Sequence, residues 1–257
     1  MNVSRRIHSP DTIPIASHLM ISVVIPAFNE EKYIGACLEA LLHQQAKEPF
    51  EVIVVDNAST DRTAEIAKGY AGKLNLRVIQ EKKKGRGAAR ATGFGAAQGE
   101  IIFSTDADCE PPPQWIAVLT TVLRKNPNLA AVTTPFVIRD CSYVYNAILN
   151  FQWLLMCVYR TFWGHFWLNG SSFAIRKETY EAVGGFNREV EAMEDTDLSR
   201  RVRHLGNIRL LQHPRMVTSG RRFEKTGLLR GLFAYLSSFC MMRLAGGKKK
   251  AELSDVR

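Results

Sequence analysis

Apolar and polar positions along the first hundred residues follow two periods in turn, one of strand type and one of helix type. Ile21 to Pro26 is a near-continuous apolar run of strand length, and Glu30 to Gln44 then places Ile34, Cys37, Leu38, Leu41 and Leu42 on one helical face. The cycle repeats. Glu51 to Val55 is a second β-rich run, Asp56-Asn57-Ala58-Ser59 is turn chemistry, and Thr60 is expected to cap a helix over Arg62 to Tyr70. Leu76 to Gln80 predicts a third strand, Gly87 to Gln98 a Gly- and Ala-rich helix, and Glu100 to Thr105 a fourth strand that ends at Asp106-Ala107-Asp108. Buried strands alternating with helices imply an α/β fold with a mostly parallel central sheet flanked by helices, whose ligands gather at the carboxyl ends of the strands. Past Pro111 to Pro113 the alternation stops; a helix over Gln114 to Lys125 leads to a strand near Leu129 to Thr134.

Two later stretches are apolar but interrupted, so neither is a clean transmembrane helix. From Cys141 to Ile175 the only formal charge is Arg160, and Val144, Ile148, Phe151, Leu155, Val158 and Phe162 recur at helical spacing. From Leu228 to Leu244, the apolar Leu228, Leu232, Tyr235, Phe239 and Met242 alternate with polar positions, flanked by Lys225, Arg230, Arg243 and Lys248 to Lys250. Each stripe either lies in a membrane interface or packs on the domain core.

Charge sharpens this picture. Residues 200–257 hold 14 of the 34 basic and 3 of the 25 acidic side chains, so the whole excess of +9 arises in the C-terminal part. That is a local surface for an anionic partner. The five scattered cysteines have no Cys-x-x-Cys pair and fit reduced thiols of a cytosol; Pro10, Asp11 and Pro14 break any secretory signal, leaving residues 1–20 as a loose tail.

The chemistry sits in the segments that follow the strands. Asp106-Ala107-Asp108 offers two hard carboxylates on a sharp turn, suited to Mg²⁺ or Mn²⁺ bridging a bound diphosphate. Lys82-Lys83-Lys84-Gly85-Arg86-Gly87 with Arg90 is either a phosphate cradle at a helix start or a solvated face. The spacing is neither a P-loop nor a dinucleotide fingerprint, which excludes a P-loop NTPase and a Rossmann dehydrogenase. Gly184-Gly185-Phe186 precedes Glu194-Asp195-Thr196-Asp197 and a helix over Leu198 to Leu205, where Asp195 is either an N-cap or a general base.

Taken together, Val23-Val24-Ile25-Pro26-Ala27-Phe28-Asn29-Glu30-Glu31, Val54-Val55-Asp56-Asn57-Ala58-Ser59-Thr60-Asp61, Asp106-Ala107-Asp108 and Gly184-Gly185-Phe186 with Glu194-Asp195 resemble the family 2 glycosyltransferases of GT-A fold. The resemblance covers roughly residues 21–222 and implies a nucleotide-sugar-binding half (21–110), an acceptor half (111–222) and an appended basic segment (223–257). It implies inverting transfer of a sugar from a UDP- or GDP-type donor; together with the two amphipathic stripes, the reading extends to a small or lipid-linked acceptor at the inner face of the cell membrane, in cell-envelope biosynthesis. Pro26, Ala27, Phe28, Glu30 and Asp56 would line the nucleoside pocket, Arg86 and Arg90 would meet base or phosphate, and Ala107 and Glu194 would lie against substrate. Asp106 and Asp108 would hold Mg²⁺ or Mn²⁺, and Asp195 would be the base.

Two departures stand out. Asn57 occupies a position where many members carry a second Asp, and the Gln-x-x-Arg-Trp motif of processive polymerases is absent, which points to single addition. In its region Arg221 and Arg222 could grip phosphate oxygens or bridge surface acids. A nucleotidyltransferase would carry a Gly- and cation-bearing loop after its first strand, where this chain has Pro26 to Glu30. A nucleic-acid-binding module, suggested by the basic C-terminal part, would leave the strand-end acids unexplained; no nucleic-acid partner is expected.

Overall fold

A computed structural model describes residues 20–139, 152–190 and 193–221. Among them, seven strands form one sheet in the order β3 (Leu76–Gln80), β2 (Phe50–Asp56), β1 (Ile21–Ala27), β4 (Ile101–Ser104), β8 (Phe173–Arg176), β6 (Leu129–Thr133) and β9 (Asn207–Leu210). The first four run parallel, as the alternating pattern implies. β8 lies antiparallel between β4 and β6, and β9 runs parallel to β6, so the sheet is mixed at that end and mostly parallel as a whole. A small second sheet of β5 (Cys109–Glu110), β10 (Met216–Thr218) and β7 (Phe136–Ile138) ties the residues just after Asp108 to those just before Arg221.

The strand period of 2 divides the core into two layers. Val23 and Ile25 point to one face, where α1 (Ile34–Leu42) and α4 (Trp115–Lys125) deliver Leu38, Leu41, Trp115 and Leu119, all fully buried. Val24, Ile53 and Val55 point to the other, where α3 (Arg86–Ala96) and α7 (Glu194–Val202) deliver Phe94, Leu198 and Val202. This second layer joins the early strands to the later Glu194-Asp195 segment. α2 (Thr63–Lys68), α5 (Gln152–Trp163) and α6 (Lys177–Ala182) complete the described elements.

Several local expectations need correction. α1 starts at Ile34 rather than Glu30, because residues 28–33 form the loop of the site. Asp61, not Thr60, satisfies the start of α2: its Oδ1 accepts the Thr63 amide at 3.0 Å, while the Thr60 amide bonds to Asn29 Oδ1 at 2.8 Å. α7 begins at Glu194, four residues before the expected Leu198, so Asp195 lies inside its first turn and Met193 takes the N-cap position. The helical spacing read from Cys141 to Ile175 ends at Trp163, beyond which the chain turns and enters β8. Residues 1–19, 140–151, 191–192 and 222–257, and with them Arg222 and the Leu228 to Leu244 stripe, lie outside the described residues.

Candidate active site

The carboxyl ends of β1, β2 and β4 open on one edge of the sheet, and the loops that follow them are bound to each other through side chains. The Asn29 amide donates to Ser59 Oγ at 3.0 Å, the Glu30 amide to Thr63 Oγ1 at 2.7 Å and the Glu31 amide to Asp61 Oδ2 at 3.1 Å. Asn29 and Ala58 both adopt left-handed backbone, which lets each loop turn back at once after its strand. Asp56, buried at the end of β2, accepts the Ser59 amide at 3.1 Å and the Gln80 side-chain amide at 2.7 Å. Two of its roughly four acceptor positions are therefore taken internally. Ala27 and Ala107 turn their methyl groups into the core, so contact from either to a ligand would run through the backbone.

Asn57 explains its own presence. Its side-chain amide donates to the carbonyls of Glu81 and Lys83, at 3.0 and 2.7 Å, and its Oδ1 accepts the Gly85 amide at 2.9 Å. A carboxylate could make only the last of these. Asn57 thus sets the course of the cation loop. Within that loop Lys83 pairs with Glu189, and Lys84 Nζ lies 5.2 Å from the centre of the Phe28 ring. The first turn of α3 is closely covered by the 187–190 segment: a Cβ on Gly87 would come within 2.3 Å of the Val190 carbonyl oxygen. Lys82, Lys83 and Lys84 stay exposed, while the Asn57 bonds and the Lys83–Glu189 pair tie the loop down on both sides.

Arg90 is the centre of the arrangement. It is only 1% exposed, and its guanidinium donates to Ser104 Oγ at 3.1 Å, Asp106 Oδ1 at 2.6 Å, the Gly170 carbonyl at 3.0 Å and Glu194 Oε1. Burial works against its charge, but Asp106, Glu194 and Asp195 outweigh burial and hold the guanidinium above its ordinary range. Arg86, one helical turn earlier, is raised mainly by Glu194. Arg90 therefore sits in the wall of the cleft and fixes two acids; its expected place beside base or phosphate is taken up by these bonds.

Asp195 faces the same centre. Its Oδ2 accepts the Gly170 amide at 2.8 Å and its Oδ1 accepts the Thr196 amide at 2.7 Å. Burial, then the neighbouring charge of Glu194, pushes its carboxyl up to about 6, against the pull of Arg90 and the Gly170 amide. Sequence reasoning missed Ser104 and Gly170. Gly170 carries no side chain to signal its role, yet its amide and carbonyl join Asp195 to Arg90.

Asp106 and Asp108, with Cys109, bring ligand atoms within 4.8 Å of one another. Burial, followed by the charges of Asp108 and Asp106, pushes the Cys109 thiol far up, and its soft sulfur suits a hard divalent cation less well than the two carboxylates do. The remaining donors are carboxylate oxygens, which suit a hard divalent cation such as Mg²⁺ or Mn²⁺. Asp108 Oδ2 accepts from Arg221 Nη2 at 3.0 Å; the same guanidinium pairs with Glu30 and lies 4.4 Å above the Tyr33 ring. Arg221 thus reaches the carboxylate pair from the C-terminal side.

A sequence model of the family described as Glycosyl transferase family 2 matches residues 22–184. The probable glycosyltransferase YdaM of Bacillus subtilis (strain 168) is 31% identical over 198 residues, covering 72% of this chain and 47% of its own length. Glycosyltransferase AglE of Haloferax volcanii is 41% identical over 99 residues, 37% of this chain and 33% of its own. The chain spans less than half the length of these curated relatives. Among solved structures, Staphylococcus aureus TarS 1–349 aligns with a TM-score of 0.63 at 19% identity, over 91% of this chain and 67% of that one. The mannosyltransferase PcManGT of Pyrobaculum calidifontis, solved with GDP-Man and Mn²⁺, aligns with a TM-score of 0.60 at 24% identity, over 84% and 64%. These likenesses show the GT-A fold.

Proposed function

The chain belongs to glycosyl transferase family 2, and from that premise we propose that it transfers one sugar at a time from a nucleoside-diphosphate sugar to an acceptor hydroxyl, with inversion, at a membrane face. One observation carries this reading: Arg90, in a single guanidinium, joins Asp106 to Glu194; Asp106 would then mark the diphosphate end of the cleft, and Asp195, next to Glu194, would be the group that deprotonates the acceptor. Asp106 and Asp108 would hold the divalent cation. When bound, that cation offsets the charge developing on the leaving diphosphate.

The chain's own groups supply the rest. An acceptor hydroxyl is a poor nucleophile near neutral pH, and a carboxylate whose affinity for a proton is raised by burial is a better base than a solvated one. Asp195 meets that need, held in one orientation by the Gly170 and Thr196 amides. Asp56 and the backbone of Pro26 to Phe28 would receive the nucleoside, with Phe28 and Glu30 at its edge. Arg221, held now by Asp108 and Glu30, would bring a guanidinium to the diphosphate. A single displacement needs one base and no covalent sugar intermediate, with an oxocarbenium-like transition state. The GDP-Man and Mn²⁺ bound by PcManGT support the donor class and the metal, and the similarity to the undecaprenyl-phosphate 4-deoxy-4-formamido-L-arabinose transferase of Serratia proteamaculans (strain 568), 33% identical over 107 residues, 40% of this chain and 33% of that one, supports a lipid-linked acceptor. The test is release of nucleoside diphosphate from a panel of nucleotide sugars with Mn²⁺ or Mg²⁺. Release of pyrophosphate from a nucleoside triphosphate and a sugar phosphate instead would assign the site to nucleotidyl transfer.

A further inference from the structure

Helix α5 is apolar on both of its sides. One stripe, Gln152, Met156, Tyr159 and Trp163, turns toward the domain, with Met156 and Tyr159 buried. The opposite stripe, Leu154, Leu155, Val158 and Phe162, turns outward, and Phe162 is 73% exposed. Among the described residues only six large hydrophobic side chains are exposed; with Trp153, five of them lie on this one helix, and the sixth is Leu205. A helix apolar all round is stable in water only when something covers its second face.

Cations flank the helix. Arg160 is exposed on α5 on the side of Trp153, with its guanidinium 5.1 Å from the Phe166 ring. Arg203 donates to the Trp163 carbonyl at 2.8 Å and so stands at the C-terminal end of the helix, and Arg200 is 62% exposed one turn away on α7. Among the described residues, the only acid paired with these arginines is Asp197, 3.8 Å from Arg200. Exposed apolar residues on a helix flanked by arginines match an anionic bilayer, where the side chains enter the acyl boundary and the guanidinium groups meet lipid phosphates. No described helix is long and apolar enough to cross a membrane.

We propose that the outward face of α5 is the surface by which this enzyme docks on an anionic lipid bilayer, lying in the interface without spanning it. Its position gives the contact a consequence, which rests on the function proposed above: Trp163, at the end of α5, is seven residues from Gly170, whose amide holds Asp195, so the end of this helix lies at most about 25 Å from the residue that orients the base. An acceptor anchored in the lipid would present its hydroxyl to the base from that side.

The test uses the full chain and vesicles of phosphatidylcholine with phosphatidylglycerol. The wild type is expected to sediment with vesicles containing phosphatidylglycerol and to lose this at high salt. The triple variant Leu155→Glu, Val158→Glu, Phe162→Glu is expected to bind at least tenfold more weakly. It is also expected to release nucleoside diphosphate in free solution at the wild-type rate. In a second measurement independent of that variant, brominated lipid is expected to quench the tryptophan emission of the bound wild type, with most of the quenching lost in Trp153→Phe. Equal vesicle binding by wild type and triple variant, absence of quenching, or a wild-type dimer in light scattering that the triple variant breaks without any vesicle binding would each overturn the proposal. Failure of the enzymatic reading would look different: neither protein would release nucleoside diphosphate, while vesicle binding would still map to α5.

Discussion

The backbone amide of Gly170 donates a 2.8 Å hydrogen bond to Asp195 Oδ2, while the carbonyl of the same residue accepts from Arg90 at 3.0 Å. One residue without a side chain therefore orients the base and ties it to the arginine that holds Asp106. A Cβ at this position would stand 2.8 Å from Arg90 Nη2 and 2.9 Å from Asp195 Oδ2, closer than real contacts allow. Gly170→Ala is expected to lower kcat by about tenfold or more while donor affinity changes little, since misplacing a base by a fraction of an ångström already has a large effect. Unchanged kcat would place the base elsewhere.

Asp195 itself gives a sharper expectation. Asp195→Asn should leave donor affinity, measured by calorimetry, nearly intact and reduce turnover by about 10² or more, the range for a lost general base. Wild-type turnover in that variant would remove Asp195 from the mechanism.

The pH profile follows from the same environment. Asp195 works in its deprotonated form, and burial with the charge of Glu194 raises its proton affinity to about pH 6, so kcat/KM should fall as pH drops through that value. Glu194→Gln removes a like charge and leaves Arg90 to act on Asp195 more strongly. Both changes favour the carboxylate, so the acid limb should move to lower pH. An acid limb that stays in place would mean that another group titrates.

Asn57 tests the reading of the cation loop. In Asn57→Asp the carbonyls of Glu81 and Lys83 lose their donors and meet a negative charge. The expected loss is about 1–3 kcal/mol, seen as a melting temperature several degrees lower. A melting temperature equal to the wild type would show that the loop holds its course without these bonds.

The parallel part of the fold was legible because strands buried on both faces appear as unbroken apolar runs: Val23 to Ile25, Val52 to Val55 and Ile101 to Phe103. β8 was not, because Phe173 to Ile175 continues an apolar stretch whose helical spacing gives no sign of the change in period. β5 and β10, two and three residues long, are too short to show any period. Asp56, Asp106 and Asp108 could be picked out as acids just after apolar runs, and Asp195 from the acidic cluster before a helix. The work of Arg90 could not. It depends on Ser104, Asp106, Gly170 and Glu194 meeting in space, and in sequence a buried arginine is indistinguishable from the exposed lysines beside it. Asn57, a departure from the common pattern when read as a nucleoside ligand, makes sense as a loop tether once the Glu81 and Lys83 carbonyls are seen beside it.

Asp108→Ala leaves the diphosphate end of the cleft with one carboxylate, and donor binding that depends on Mn²⁺ should vanish in calorimetry. Affinity equal to the wild type would contradict the assignment of a metal to this pair.

The most direct measurement is a crystal structure of the chain with Mn²⁺ and a non-transferable nucleotide-sugar analogue. The account expects an anomalous manganese peak between the carboxylates of Asp106 and Asp108 and the diphosphate, with Arg221 on the diphosphate and the sugar's anomeric carbon on the side facing Asp195. A manganese peak bound elsewhere, or a nucleotide seated away from the ends of β1, β2 and β4, would contradict it.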